Sequence, residues 1–266
     1  MKNIIIVGYP KSGNTWVTRL TAELVGCPVV GFWQETHTEI AREGQGRVSA
    51  HSCYKAHQQL KELGIEVNSV TATTKVIYVV RDPRDIAISG ANYFNFDKIN
   101  LIEQFFRKVN KQKSYFSLFP VAETYQINRM IKAIIFGDAK LHKWLKVSWK
   151  DHYRPYLNAG ILCIQYEMML AQPERECKKI LDYLNIQRDL PFVKQAIANQ
   201  SFERKKSQFV EKGDIFQKNF LNRGQYGQWK NKLSSKQKQE ILKYLKADLK
   251  FFGYEADSFE FLIDKR

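Results

Sequence analysis

The chain has 266 residues, 44% hydrophobic, 13% aromatic and 26% charged, which excludes a disordered chain and is enough to bury the core of one α/β domain. Its 42 lysines and arginines against 27 acidic residues leave a formal net charge of +15. That balance favours an anionic partner (nucleic acid, a membrane surface or a polyanionic small molecule) without choosing among them.

The four cysteines, Cys27, Cys53, Cys163 and Cys177, have no C-x-x-C spacing and suit free thiols in a reducing compartment rather than a disulfide framework. The apolar run at the start is too short for a signal peptide or a membrane span. A cytoplasmic protein is expected. Basic residues are thickest in 104–113, 140–154 and 230–250, and the last stretch suits the solvated face of a helix.

In chain order, Asn3 to Gly8 is a short β-branched run ended by a Gly/Pro turn, the pattern of a buried parallel strand. Gly8-Tyr9-Pro10-Lys11-Ser12-Gly13-Asn14-Thr15 follows. Trp16, Leu20 and Leu24 then recur at helical spacing until Gly26 and Pro28 stop the helix. A second buried strand is expected over Lys75–Val80, closing on Arg81-Asp82-Pro83-Arg84-Asp85, with a helix from about Ile86 to Tyr93. A third is expected over Gly160–Tyr166. Beyond it, Pro173 opens a helix whose face carries Cys177, Ile180, Leu181 and Leu184. Between the second and third strands lies a mostly helical insertion, about 97–148. Near the C-terminus a loop of about 205–230 precedes a basic amphipathic helix, for which Ser234 and Gln237 form a capping box. Strands alternating with helices predict a single α/β domain over 1–266, its central parallel sheet flanked by helices, with ligands beyond the carboxyl ends of the strands.

The segment from Gly8 to Thr15 fits G-x-x-x-x-G-N-T, a phosphate-loop frame with Asn14 where a Walker lysine would neutralise a triphosphate. Asn14 neutralises nothing. The amides of Ser12 to Thr15 and the helix dipole still suit a phosphate, and Lys11 adds one charge from within the loop. No Walker B aspartate follows the second strand, so a Mg-ATP-dependent small-molecule kinase is the weaker reading. Weaker still is a nucleic-acid-binding protein, suggested by charge alone.

"YPKSGNTW" resembles the 5′-phosphosulfate loop of the sulfotransferases that use 3′-phosphoadenosine 5′-phosphosulfate (PAPS), which reads close to P-K-S-G-T-T-W. "VVRDPRDIAISGANYF" (79–94) resembles their 3′-phosphate segment, "IQYEMMLAQPERECKKILDYLNI" (164–186) their tyrosine-glutamate strand and helix, and "FLNRGQYGQWKN" (220–231) their C-terminal phosphate loop. The resemblance implies a P-loop-like sulfotransferase fold of the bacterial, natural-product branch, with no metal required and PAP as product. By position it implies that Lys11, Ser12, Gly13, Asn14 and Thr15 bind the 5′-phosphosulfate, with Lys11 stabilising the leaving phosphate. Trp16 and Phe202 would sandwich adenine, although Trp16 equally suits the helix core. Tyr166 would hydrogen-bond the adenine. Arg81 and Ser89 would hold the 3′-phosphate, joined by Asn222, Arg223 and Gly224.

An alcohol acceptor loses its proton as it attacks, and histidine is the natural base. The five are His37, His51, His57, His142 and His152. The family's base lies in a K-T-H segment after the first helical region. Val48 to Lys55 is matched to that segment, which selects His51. Several positions depart from the family pattern. Ser49 stands where a lysine precedes the base by two, leaving Lys11 alone or another residue such as Lys55 to supply that charge. R-K-G becomes Asn222-Arg223-Gly224, and the threonine two before Phe202 is Gln200. The segment Lys230–Gln239, where many cytosolic members carry a dimer motif, has Ser234-Ser235 at its centre. Monomer and homodimer stay open. The expected partner is a small polar acceptor, with neither nucleic acid nor membrane. Phe32, Trp33, Glu35 and Glu39 would receive it, and the aromatic pair with two carboxylates suits a cationic, alkaloid-type molecule.

Overall fold

The computed structural model describes residues 2–34, 42–65, 73–94, 120–211 and 225–254. Their contacts group the chain into two units, the first formed by Met1–Arg81 with His152–Tyr226, the second by Asp82–Asp151 with Gly227–Arg266.

The first unit holds a five-stranded sheet. Its strands are β1 (Lys2–Val7), β2 (Val29–Phe32), β3 (His51–Ala56), β4 (Thr74–Val80) and β5 (Leu162–Gln165), in the order β2-β3-β1-β4-β5. Every pairing is parallel. Ile4 to Val7 and Val76 to Val80 are buried without alternation, as strands covered on both faces must be. Helix α1 (Asn14–Val25) starts after Gly13 at φ 93° and ends on Gly26 at φ 77°, where the left-handed backbone lets the chain turn away. One core cluster joins Ile4, Ile6, Leu20, Leu24, Ile77, Ile180 and Leu184. Elsewhere in the unit, Tyr9, Tyr78, His152 and Tyr156 are buried in mutual ring contact.

Two of these strands, β2 and β3, were not expected. They are short, and β3 carries His, Ser, Tyr and Lys among its six residues, so no apolar run announces it. Its register is decisive for the site. Lys2 pairs with His51 and Val7 with Ala56, so the first residue of β3 sits at the edge of the sheet opposite the loop that follows β1.

Helix α4 (Trp149–Asn158) precedes β5, and α5 (Tyr166–Ala171), α6 (Pro173–Leu184), α7 (Leu190–Asn199) and α8 (Phe202–Glu211) follow it. Tyr166, expected in the strand, is the first residue of a helix. The covering loop expected from about 205 is helical through Glu211, and residues 212–224 lie outside the described residues. The apolar face of α6 is buried as its spacing predicts, at Cys177, Ile180, Leu181 and Leu184.

In the second unit, α2 (Pro83–Ala91) is capped by the Asp82 side chain and has Pro83 at its first turn. Gly90 lets α2 approach the Met130 side chain of α3 (Pro120–Phe136), the α-helix described within the expected insertion 97–148. Residues 97–119 lie outside the described residues. The helix Ser235–Phe251 starts on the expected capping box of Ser234 and Gln237, so the serine pair at 234–235 serves a helix start. Within this unit the Asp85 carboxylate accepts the backbone N–H groups of Gly227, at 2.6 Å, and Trp229, at 3.1 Å. Arg84 pairs with Asp82 and lies over the Trp229 ring.

Candidate active site

Because β1, β3 and β4 are parallel neighbours, their carboxyl ends deliver Gly8, Ala56 and Val80 to one edge of the sheet. The segments leaving them carry Lys11, His57 and Arg81.

The loop after β1 turns on Ser12, whose N–H donates to the Tyr9 carbonyl at 3.1 Å. That amide is therefore spent, and the amides of Gly13, Asn14 and Thr15 at the start of α1 are left to receive an anion. Gly8 and Gly13 are both required. A side chain on Gly8 would run into the Val79 carbonyl and the Asn14 amide, and one on Gly13 would overlap the Tyr166 ring. Lys11 has φ 70°, a strained backbone for a residue with a Cβ. Burial, and then the neighbouring Arg81 charge, bring its amine down to about 7. A buried cation is costly, and a bound anion offsets that cost.

Arg81 is buried. Its guanidinium donates to the Lys11 carbonyl at 3.1 Å and the Gln225 carbonyl at 3.2 Å, and it stacks 4.3 Å over the Tyr166 ring. Tyr166 meets Trp16 edge to face at 5.8 Å. The Trp16 indole N–H donates 2.9 Å to the Gln200 carbonyl, two residues before Phe202. So Lys11, Gly13, Trp16, Arg81 and Tyr166 are brought together. The Gln200 side chain turns to Glu43, at 2.6 Å, where Lys205 and Arg19 also converge. Phe202, half-buried, opens α8. Ser89 is buried in α2 of the second unit. Asn222, Arg223 and Gly224 lie outside the described residues, and Gln225, bonded to Arg81, is the first described residue after them.

Two buried polar atoms here, Ser12 Oγ and Arg81 Nε, have no hydrogen-bond partner. Each such donor costs about 1–3 kcal/mol. Together with the α1 amides and the depressed Lys11 amine, they fit a phosphate- or sulfate-bearing ligand.

The histidine at this edge is His57, not His51. His51 lies at the far end of β3, where burial and then the Lys2 charge lower its pKa. His57 follows Ala56 directly. Its Nδ1 is 2.8 Å from the Gly8 carbonyl oxygen. A carbonyl only accepts, so Nδ1 carries the proton and Nε2 is the basic nitrogen. The carbonyl of His57 accepts from His152 Nε2 at 3.0 Å, and His152 Nδ1 accepts from the Tyr78 hydroxyl at 2.9 Å. Burial, with a smaller contribution from the Lys55 charge, holds the His57 ring well below the ordinary histidine range, so it is neutral near pH 7. Lys55 is 8% exposed, its ammonium 4.6 Å from the Phe32 ring centroid, and Phe32 lies 6.0 Å from the His57 ring. Trp33 is pinned by its indole N–H on the Leu63 carbonyl and packs on Tyr54. Glu35 and Glu39 lie outside the described residues.

A family model described as "Sulfotransferase domain" matches residues 1–253. The chain belongs to the sulfotransferase family. It is 23% identical over 253 residues to sulfotransferase 2A1 of Macaca fascicularis, covering 88% of this chain and 79% of that one. It is 22% identical over 276 residues to the 3-beta-hydroxysteroid sulfotransferase of Cavia porcellus, covering 97% and 86%. Among solved structures it is similar to mouse sulfotransferase SULT7A1 complexed with PAP, at a TM-score of 0.64 and 19% identity over 96% of this chain and 89% of that one.

Within this sulfotransferase the lysine–histidine spacing of K-T-H is met at Lys55-Ala56-His57, with Ala56 in place of the threonine. The match to Val48–Lys55 put the histidine four residues before the lysine instead of two after it. Spacing alone held the signal, and with it the departure at Ser49 vanishes: Lys55 is the lysine two before the histidine. No helix of the described residues is long and apolar enough to cross a membrane.

Proposed function

We propose that this sulfotransferase moves a sulfuryl group from PAPS to a hydroxyl, or an amine, of a small polar acceptor, with His57 as the base. The observation that carries the reading is the convergence of Lys11, His57 and Arg81 at the carboxyl ends of three adjacent parallel strands. When bound, PAPS supplies the sulfuryl group and a phosphate leaving group. The amides of Gly13 to Thr15 and the dipole of α1 receive the 5′ charge. Lys11, recharged by the anion beside it, offsets the negative charge that grows on the leaving oxygen. Arg81 serves the phosphate farther from the reacting centre, with Arg223, Gly224 and Ser89 assigned to it by position. Trp16, Tyr166 and Phe202 serve the adenine. His57 Nε2 takes the acceptor proton as attack proceeds, and Lys55 adds a cation beside it.

For the acceptor, Phe32 is the wall nearest the base, and Lys55 already stands over its ring. A cationic acceptor would therefore find its counter-charge at Glu35 and Glu39 rather than at Phe32. A hydroxyl on an apolar carrier is the second reading, favoured by the relative named for 3-beta-hydroxysteroids.

Thermal shift of the full chain with PAP, with ATP plus Mg²⁺ and with duplex DNA tests the cofactor. PAP at a hundredfold excess over Kd stabilises by about 2.7 kcal/mol. No shift with PAP, or a larger one with Mg-ATP or DNA, overturns the proposal. Labelled PAPS offered with a panel of cationic alcohols and 3β-hydroxysteroids then ranks the acceptors, and Glu35→Gln with Glu39→Gln should raise KM for the cationic ones only.

A further inference from the structure

Asn14 stands where the loops it resembles carry threonine, and its side chain is 2% exposed. Its Nδ2 lies 3.0 Å from the Gly8 carbonyl, 3.0 Å from the Ala56 carbonyl and 3.3 Å from His57 Nδ1. Two carbonyls fix which end of the amide is nitrogen, because the flipped group would press oxygen against both. A primary amide has two N–H donors, and these carbonyls take both. The remaining atom, Oδ1, is an acceptor, buried and without a partner, and an acceptor repels phosphate. The side chain thus offers an anion nothing, although the Asn14 backbone N–H still does.

What the side chain does reach is the histidine. The Gly8 carbonyl accepts from Asn14 Nδ2 and from His57 Nδ1 alike. The second carbonyl, that of Ala56, belongs to the residue that leads into His57. We propose that Asn14 is a positioning residue for His57: its amide ties the carboxyl ends of β1 and β3 together and holds the imidazole with Nδ1–H on Gly8 and Nε2 as the basic nitrogen. This rests on the reading of His57 as the base.

The sign of its effect follows from the same contacts. Lys55, Lys11 and His152 face the ring with positive or potentially positive charge. The Asn14 amide adds the positive end of a dipole and shares the carbonyl that would otherwise serve an imidazolium alone. Removing it makes Gly8 a better acceptor for the charged ring and takes a positive dipole end away. Both changes raise the affinity of His57 for a second proton.

Long-range proton–nitrogen NMR of the ¹⁵N-histidine-labelled full chain reads this directly, alongside calorimetric PAP binding, in wild type, Asn14→Ala and Asn14→Thr. In wild type, His57 should show one tautomer, protonated on Nδ1. In both variants its pKa should rise by about half a unit or more, with mixed tautomers, while PAP Kd changes by less than about threefold. An unchanged His57 spectrum with PAP Kd weakened about tenfold or more would make Asn14 a phosphate ligand and overturn the proposal. His57→Ala reads the base separately, by release of PAP from PAPS with the acceptor identified in the panel. Lost turnover there with an unchanged spectrum in the Asn14 variants overturns the Asn14 role alone. Retained turnover overturns the base reading beneath it.

Discussion

His57 Nδ1 lies 2.8 Å from the carbonyl oxygen of Gly8, so the residue that follows β1 chooses which nitrogen of the candidate base is basic. His51 begins the same strand that His57 follows. Parallel pairing of Lys2 with His51 and of Val7 with Ala56 leaves only His57 on the phosphate-loop side.

That placement predicts a clean separation of the two histidines. His57→Ala should lower kcat by about 10²–10⁴-fold, the usual share of a general base, and leave PAP affinity near its wild-type value. His51→Ala should change neither. Steady-state kinetics with labelled PAPS and calorimetric titration of PAP check both, and a His51→Ala enzyme without turnover would contradict the register argument.

Lys11 should trade stability for binding. Its amine titrates at about 7 in the folded, ligand-free protein against 10.5 for an ordinary lysine, so between those values the unfolded chain binds more protons. Stability contributed at this site therefore rises with pH across that window, and below about 7 the full cost of a buried ammonium is present. Lys11→Met removes the cost. Its Tm should exceed that of wild type most at pH 6 to 7, with the gap closing towards pH 10, while PAP binding is lost. Scanning calorimetry across pH gives the comparison.

The same amine makes PAP affinity depend on pH. An anion beside Lys11 restores its proton, so binding above about pH 7 takes up a proton and weakens as pH rises. Calorimetry in buffers of different ionisation enthalpy should show proton uptake between pH 7.5 and 9 with wild type. A flat profile would mean that Lys11 does not meet the bound anion.

Gly13→Ala should damage loop and cofactor together. The new methyl would overlap the Tyr166 ring, and φ 93° is unfavourable for any residue with a Cβ. A cost of about 1–3 kcal/mol is expected from the strained backbone, with displacement of Tyr166 and Arg81 adding a loss of PAP affinity. Urea denaturation and PAP titration read the two effects, and unchanged values for both would show that Tyr166 yields without consequence.

The parts of this fold legible in the sequence were those with strong local signals. Ile4 to Val7 and Val76 to Val80 are continuous apolar runs, Gly26 and the Ser234/Gln237 pair mark helix ends, and the α6 face repeats at helical spacing. Each depends on neighbours a few residues away. The phosphate loop was readable for the same reason, since its strand, turn and helix are contiguous. Strand β3 was not, because its residues are half polar and its stability comes from pairing with β1 across some fifty positions of chain. Missing it left the candidate base at His51, the end of β3 far from the phosphate loop.

By itself the sequence determined a parallel α/β sheet and a phosphate loop that replaces the Walker lysine with Asn14. It did so because backbone propensity, burial pattern and glycine geometry are local. Only the tertiary structure decided which histidine and which lysine reach the loop, and that Asn14 spends its amide on the carbonyls beside His57. Those are contacts between residues brought together by strand register, and register is settled by the packing of the whole sheet.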